Sequence, residues 1–202
     1  MSRNENAVVS PGFAHPALDS QAMFRALLRA MAEPGRAVPC PVRIDGAPLP
    51  PVLAAVALTL LDYETPAFLA GAIASQAVRG FLGFHTGAPL QADAVKAAFV
   101  LALSQSALPP VALLGAGTPE YPDRSATVIL GVTDFEEGTS VSLSGPGILG
   151  SREFRAGGLH AEFWDAAAAN AARFPLGVDF ILCGPEAVAG LPRSAVPEIL
   201  AR

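Results

Sequence analysis

Lysine is almost missing from this chain: Lys96 is the only one, beside twelve arginines. No Gly-Lys-Ser or Gly-Lys-Thr occurs, so a Walker A phosphate loop is excluded. A Schiff-base enzyme would have to use Lys96, and nothing around it in "DAVKAAFV" singles it out. Residues that hold metals or carry redox chemistry are equally scarce. Cys40 and Cys183 are the two cysteines, far apart and each in or beside an apolar, strand-like segment. They read as buried small hydrophobes rather than a disulfide or a metal pair. His15, His85 and His160 have neither H-x-x-x-H nor C-x-x-C spacing around them, so the sequence offers no metal site of its own.

Long apolar runs are lacking too. The longest, around Val52–Leu61, is broken at Thr59 and falls far short of the roughly 20 residues of a spanning helix. The opening "MSRNENAVVSPGFAHP" has no apolar stretch of signal-peptide length. These absences lead to the expectation of a soluble, cytoplasmic protein that does not work at a membrane. The net charge of −5 argues against a nucleic-acid backbone as the main partner.

What is present is a well-filled core in a chain of single-domain length. Of the 202 residues, 51% are hydrophobic and only 15% charged. "LDSQAMFRALLRAMAEPG" reads as a helix capped by Asp19 or Ser20 and stopped by Pro34-Gly35. Met23, Phe24, Leu27, Leu28 and Met31 recur there at helical spacing, which predicts one apolar stripe. Gln21, Arg25 and Arg29 follow i, i+4, i+8 spacing on or beside the other face, as a solvated face or an anion-facing edge.

"RAVPCPVRI" suits an edge strand, since its prolines cannot donate to a ladder. A helix is predicted over 50–61, a strand over 66–70, a helix near 72–79 and a short strand around 81–84. "AAFVLAL" reads as a buried strand, and "PPVALLGAG" as a short helical segment. "ATVILGV" and "TSVSLS" read as an antiparallel hairpin across "TDFEEG". "LHAEFWDAAAANAARF" is a long helix and "VDFILC" the last strand. Interleaved helices and strands with a hairpin predict an α/β fold, a mixed sheet flanked by helices.

One string invites a functional reading. "VSLSGPGILG" ends in Gly145-x-Gly147-x-x-Gly150, the glycine pattern of a dinucleotide-binding turn. The rest of that motif fails. Pro146 has no N–H to offer a pyrophosphate, "SREFRAGG" reaches Gly157-Gly158 before a helix gains length, and the acid expected at the end of a following strand is missing near position 170, where "NAARF" stands. A glycine turn ending an antiparallel strand is the better account.

Six strings stand in order along the chain: "MFRALLRAMAEPG", "LTLLDYETP", "FHTGAPL", "LSGPGI", "FPLGVDFIL" and "LPRS". Together they resemble the PhnH family, a core-complex subunit of the bacterial carbon–phosphorus lyase system. The resemblance runs from about Leu18 to about Ser194, leaving residues 1–17 as an N-terminal extension to a single domain. It implies a fold similar to the large domain of PLP-dependent transferases, without PLP and with no cofactor of its own. It also implies a homodimer that works with sister subunits G, I and J, and with K and L. That assembly attaches a phosphonate to C1′ of the ATP ribose and releases adenine, so ATP is a substrate of the complex. Radical iron–sulfur chemistry would belong to the J subunit, and two cysteines are too few for a Cys-ligated cluster here.

Polar positions within the matched strings include Arg25, Glu33, Asp62, Thr65, His85, Thr86, Asp179 and Arg193. Arg25 and Arg193 present guanidinium forks suited to a phosphate or phosphonate, or else pair with Asp62 or Asp179 to fix a loop. His85 is expected at a strand end, as a general acid–base group or a hydrogen-bonded structural histidine. Asp179, in an apolar strand, needs a partner, and Arg193 is the candidate by family pattern. "EYPDRS", with Glu120, Asp123 and Arg124, reads as a solvated loop or a partner contact. Two functions follow. One is a non-catalytic or scaffold subunit of the lyase complex. The other is an autonomous nucleotide- or phosphonate-binding transferase using Arg25, Arg193 and His85.

Overall fold

The computed structural model describes residues 10–200. In chain order the regular elements are α1 (Pro16–Ala32), β1 (Val38–Pro39), α2 (Pro51–Leu60), β2 (Ala67–Leu69), α3 (Gln76–Thr86), β3 (Phe99–Ala102) and β4 (Thr127–Gly131). There follow β5 (Val141–Ser144), β6 (Ser151–Phe154), α4 (Ala161–Ala171), β7 (Asp179–Cys183), β8 (Ala187–Leu191) and β9 (Val196–Ile199). Six strands form a mixed sheet in the order β1-β8-β7-β4-β3-β2, and three form a small sheet, β6-β5-β9. Within the large sheet β2, β3, β4 and β7 run parallel, β8 turns back antiparallel to β7, and β1 pairs antiparallel with β8 and so points the same way as the four. The expected α/β fold with a helix-flanked mixed sheet is what the chain adopts.

The two-residue period of a strand sorts the core into two layers. Leu101, Ile129, Ile181 and Val188 face a layer built by α1, α2 and α3. Their neighbours Val100, Val128, Leu130, Phe180, Leu182 and Leu191 face a second layer built by α4 and the small sheet. Strands covered on both faces must be apolar throughout, which is why "FVLA", "TVILG" and "DFILC" are continuous runs rather than alternations. Helix α2 is apolar on every side because it is enclosed: it touches α1, α3 and β4.

Helix α1 crosses β8 at Gly190. A Cβ on Gly190 would stand 2.5 Å from the carbonyl oxygen of Ala30, so glycine alone admits this approach. Close docking buries Met23, Ala26, Leu27 and Ala30, and each large side chain so covered contributes about 1.5–3 kcal/mol. It leaves Phe24 and Leu28 outside, 46% and 54% exposed. The five-residue apolar stripe read from the sequence is therefore too wide: alanines, not Phe24 and Leu28, complete the buried face. The helix also starts earlier than expected, with His15 as N-cap and Pro16 at the first position. Asp19 does not cap it from outside. Its carboxylate sits within the first turn and accepts the backbone N–H of His15 at 2.8 Å.

Three other expectations are corrected. Phe81–Phe84 is not a strand but the middle of α3, where Phe81 and Leu82 supply the buried face of an amphipathic helix. Strands β4 and β5 do not form a hairpin: β4 lies between β3 and β7 in the large sheet, and β5 is the centre of the small one. The chain does not end its strands at β7 either. Strands β8 and β9 follow, hidden in the sequence by small residues in "AVAGL" and by Pro197 in "VPEI".

The glycine pattern at 145–150 links β5 to β6 as a hairpin and opens no helix. Gly145 and Gly147 both have positive φ, and Gly147 is pressed against the Ala32 carbonyl at the end of α1.

Candidate functional site

Parallel α/β sheets bind ligands beyond the carboxyl ends of their strands, where loops diverge. Here the ends of β3, β4 and β7 open into a cleft of about 570 Å³. Leu103 and Ser104 line it just after β3, Gly131 to Thr133 at and beyond the end of β4, and Cys183 and Gly184 at and beyond the end of β7. Arg43, the start of α2 at Pro50 and Pro51, and Gly157-Gly158 complete the wall.

Glycines make this edge possible. A Cβ on Gly131 would lie 2.9 Å from the Leu103 carbonyl, and one on Gly184 would lie 2.8 Å from the Phe135 ring. A Cβ on Gly157 would collide with the Thr133 hydroxyl and the Asp134 carboxylate. The loops pass so closely that their polar groups satisfy each other. Val132 N–H donates to the Cys183 carbonyl (2.9 Å), Thr133 N–H to Gly157 (3.0 Å), and Gly157 N–H back to Asp134 (3.0 Å). The Asp134 carboxylate accepts N–H groups from Glu137 (2.6 Å) and Glu136 (2.9 Å) and the Thr133 hydroxyl (2.8 Å). Those hydrogen bonds, Glu137 first, hold its pKa below the ordinary carboxylate value.

Arg43, the one cation that lines the cleft among the described residues, is shared between Glu186 (3.1 Å) and Asp45 (3.4 Å). Cys183 is buried, and burial pushes its thiol pKa well up. Cys40, half-buried against the same core layer, is pushed up to about 12. Such thiols are not activated nucleophiles. The cleft can hold a flat or apolar group against bare backbone; the one hydroxyl–carboxylate pair named at its wall, Thr133 with Asp134, sits in a loop where Asp134 already accepts two backbone N–H groups. Among the described residues no group of His, Cys, Asp and Glu could hold a metal ion.

The polar residues singled out in the sequence lie elsewhere. Arg193 turns on Asp179, donating through Nε to Oδ1 (3.1 Å), Nη2 to Oδ2 (2.5 Å) and its backbone N–H to Oδ1 (2.8 Å). Its remaining nitrogen, Nη1, donates to the Pro122 carbonyl at 2.6 Å. The pairing expected between Asp179 and Arg193 is thus present, at the amino end of β7, and it also ties down the "EYPDRS" loop. Arg124 of that loop stacks over the Tyr121 ring at 4.0 Å.

Asp62 and Thr65 close a turn on themselves. Thr65 Oγ1 accepts the Asp62 N–H (2.7 Å), and the Asp62 carboxylate accepts the Glu64 N–H (2.8 Å). Thr86 belongs to the last turn of α3, where its hydroxyl donates to the Leu82 carbonyl at 2.7 Å and accepts the Ala88 N–H. His85 stands in that same turn rather than at a strand end. Its Nε2 meets the Ser10 carbonyl at 2.9 Å and its ring packs on Phe81 and Phe84. It lines a pocket of about 610 Å³ with Gly12, Phe13, Ser20 and Leu58.

Glu33 receives Arg36 (2.6 Å) and Arg29 (3.2 Å), and these hydrogen bonds, Arg36 first, lower its pKa. Arg25 is exposed on α1 and makes no ion pair among the described residues. Arg25 on α1, His85 on α3 and Arg193 in the turn between β8 and β9 are therefore apart, and of the three His85 lines the pocket beside Gly12. The cleft at the strand ends escaped the sequence reading. Gly131, Gly157-Gly158 and Gly184, each at or within a few residues of a strand end, are the signal that could have found it.

Comparison with known proteins gives these features a context. Residues 11–198 match the family described as bacterial phosphonate metabolism protein (PhnH). The alpha-D-ribose 1-methylphosphonate 5-triphosphate synthase subunit PhnH of Rhizobium meliloti (strain 1021) is 36% identical over 195 residues, covering 94% of this chain and 96% of that protein. The putative C-P lyase subunit protein HtxG of Stutzerimonas stutzeri is 36% identical over 175 residues, covering 86% of this chain and 83% of that one. A family match over nearly the whole chain, with a relative matched from end to end, places all of the elements above in one lineage. The chain belongs to the PhnH family.

Proposed function

We propose that this chain is a subunit of a carbon–phosphorus lyase core assembly and contributes scaffold and partner contacts rather than catalytic groups. The assembly forms a ribose 1-phosphonate 5-triphosphate from ATP and a phosphonate, releasing adenine, in organophosphonate breakdown. The observation that carries this reading is the end-to-end match to a protein named as a subunit of that synthase. The geometry supports the scaffold role: Arg193, Asp179, Thr86, Asp62 and Thr65 spend their polar atoms on their own chain. The reading includes partnership with subunits G, I and J, with K and L in addition, a homodimer, a cytoplasmic location and kinship of the fold with the large domain of PLP-dependent transferases, without PLP. Co-expression with subunits G, I and J followed by size-exclusion chromatography tests it. Co-elution is expected, and separate elution while the others assemble would sink the idea.

A second reading, an autonomous nucleotide- or phosphonate-binding transferase, is favoured by one observation, the cleft of about 570 Å³ at the carboxyl ends of the parallel strands. Titration of the isolated chain with ATP and methylphosphonate by calorimetry, with phosphorus NMR for products, decides between them. Binding with turnover selects the transferase; neither selects the scaffold.

A further inference from the structure

Helix α1 carries two apolar faces, and only one of them is used inside the molecule. Met23, Leu27 and Ala30 cover the sheet, yet Phe24, Leu28 and Ala32 follow at i, i+4 and i+8 along an exposed line. At the end of that line the hairpin of β5 and β6 rests on the Ala32 carbonyl through Gly147. The hairpin then presents Leu149, which is 100% exposed. Its base is rigid: a Cβ on Gly145 would stand 2.5 Å from the Ser194 carbonyl. Phe24 and Leu28 on the helix, and Leu149 on the hairpin that abuts its end, are thus exposed large apolar side chains on two packed elements, the kind of preorganised surface that binds at low entropic cost.

The charge around these side chains identifies what fits them. Arg25 and Arg29 stand beside Phe24 and Leu28, and Arg36 lies just beyond the helix, against one acid, Glu33, which is already shared by Arg29 and Arg36. The face is locally positive on a chain whose net charge is −5. In a two-fold interface between copies the same patch meets itself, which would set these arginines against one another. We propose that the line Phe24–Leu28–Ala32, together with Leu149, docks a different protein chain whose apolar groove has an acidic rim. This rests on the reading of the chain as a complex subunit, and it names the surface that reading leaves open. Phe24, Leu28 and Leu149 are the anchors, and Arg25 and Arg29 steer and register the encounter.

The test co-expresses subunits G, I and J with the unaltered chain, Leu28→Asp, Leu149→Asp, Arg25→Glu with Arg29→Glu, and a control, Leu113→Asp. Leu113 is 61% exposed and precedes β4 on the layer of the sheet opposite α1. Thermal melts of every variant establish folding first. The unaltered chain and Leu113→Asp are expected to co-elute with the sisters. Leu28→Asp and Leu149→Asp should lose roughly tenfold or more in affinity, as loss of an anchor does. The double charge reversal should weaken binding further as salt is lowered, the opposite of the unaltered chain. Full retention of folded Leu28→Asp and Leu149→Asp overturns the inference while leaving the subunit reading intact. Conversion of a dimer of the isolated chain to monomer by Leu28→Asp, seen by light scattering, overturns it in favour of a second copy. Failure of the unaltered chain to co-elute removes the subunit reading, and the inference with it.

Discussion

The Asp179 carboxylate is gripped by Arg193 from both ends of the residue, by the guanidinium at 2.5 and 3.1 Å and by the backbone N–H at 2.8 Å. Both side chains are largely buried, 18% and 14% exposed. The pair joins the start of β7 to the chain leaving β8, and Arg193 Nη1 extends the grip to Pro122. Removing one partner of such a pair strands the other, so Asp179→Asn or Arg193→Ala is expected to cost about 3 kcal/mol in urea unfolding. Arg193→Lys should not restore it, because an ammonium cannot span Asp179 and Pro122 together. A loss of stability below about 0.5 kcal/mol for all three would contradict this role.

The two faces of α1 predict opposite outcomes for neighbouring leucines. Leu27→Ala empties core space and should cost about 2–5 kcal/mol. Leu28→Ala alters only the outer face and should stay within about 0.5 kcal/mol. Equilibrium unfolding of the two variants side by side checks which leucine faces the sheet.

Gly147 and Gly150 both hold positive φ in the same hairpin, but only Gly147 is enclosed. Gly150→Ala has open space around its new Cβ and should cost the backbone strain alone, about 1–2 kcal/mol. Gly147→Ala adds a collision with the Ala32 carbonyl and should cost clearly more, with increased hydrogen exchange at the end of α1. Equal melting temperatures for the two variants would refute the packing of this hairpin on α1.

The thiols predict a response to alkali. Burial raises Cys40 to about 12 from an ordinary 9.0, and raises Cys183 as well. The unfolded chain ionises first, so this contribution to stability is intact below pH 9 and is lost as pH climbs toward about 12. Cys40→Ala should flatten the fall of the unfolding midpoint across that window. At pH 8 a thiol-specific disulfide reagent should leave Cys183 unmodified until denaturant is added, with Cys40 reacting slowly.

His85 fixes the segment before α1. Its Nε2 meets the Ser10 carbonyl, and Gly12 lies so close to the ring that a Cβ there would stand 2.7 Å from it. His85→Ala should lower stability by about 1 kcal/mol, the worth of a typical hydrogen bond with its packing. Hydrogen exchange should rise at residues 10–14 and stay unchanged in β3, β4 and β7.

Much of this molecule is written in its sequence, and the reasons are local. "FVLA", "TVILG" and "DFILC" announce central strands because burial on both faces demands uninterrupted apolar residues. "PVLAAVALTL" announces a buried helix for the same reason, and Pro146 is enough to deny the glycine string a nucleotide role. The order of the six strings carried the family, which comparison over residues 11–198 bears out. What the sequence could not settle depends on contacts between residues distant along the chain. Phe24 and Leu28 have the spacing of a core stripe. They lie outside because Gly190, far along the chain, lets α1 settle on alanines instead. The β4 and β5 strands look like a hairpin but enter different sheets, since β7 captures the free edge of β4. The cleft is lined by Gly131, Gly157 and Gly184, which lie far apart in the sequence and meet only in the fold. Local pattern determined which segments are helix, strand and turn, while partner, register and exposed face were decided by packing, a property of pairs of residues that no single stretch contains.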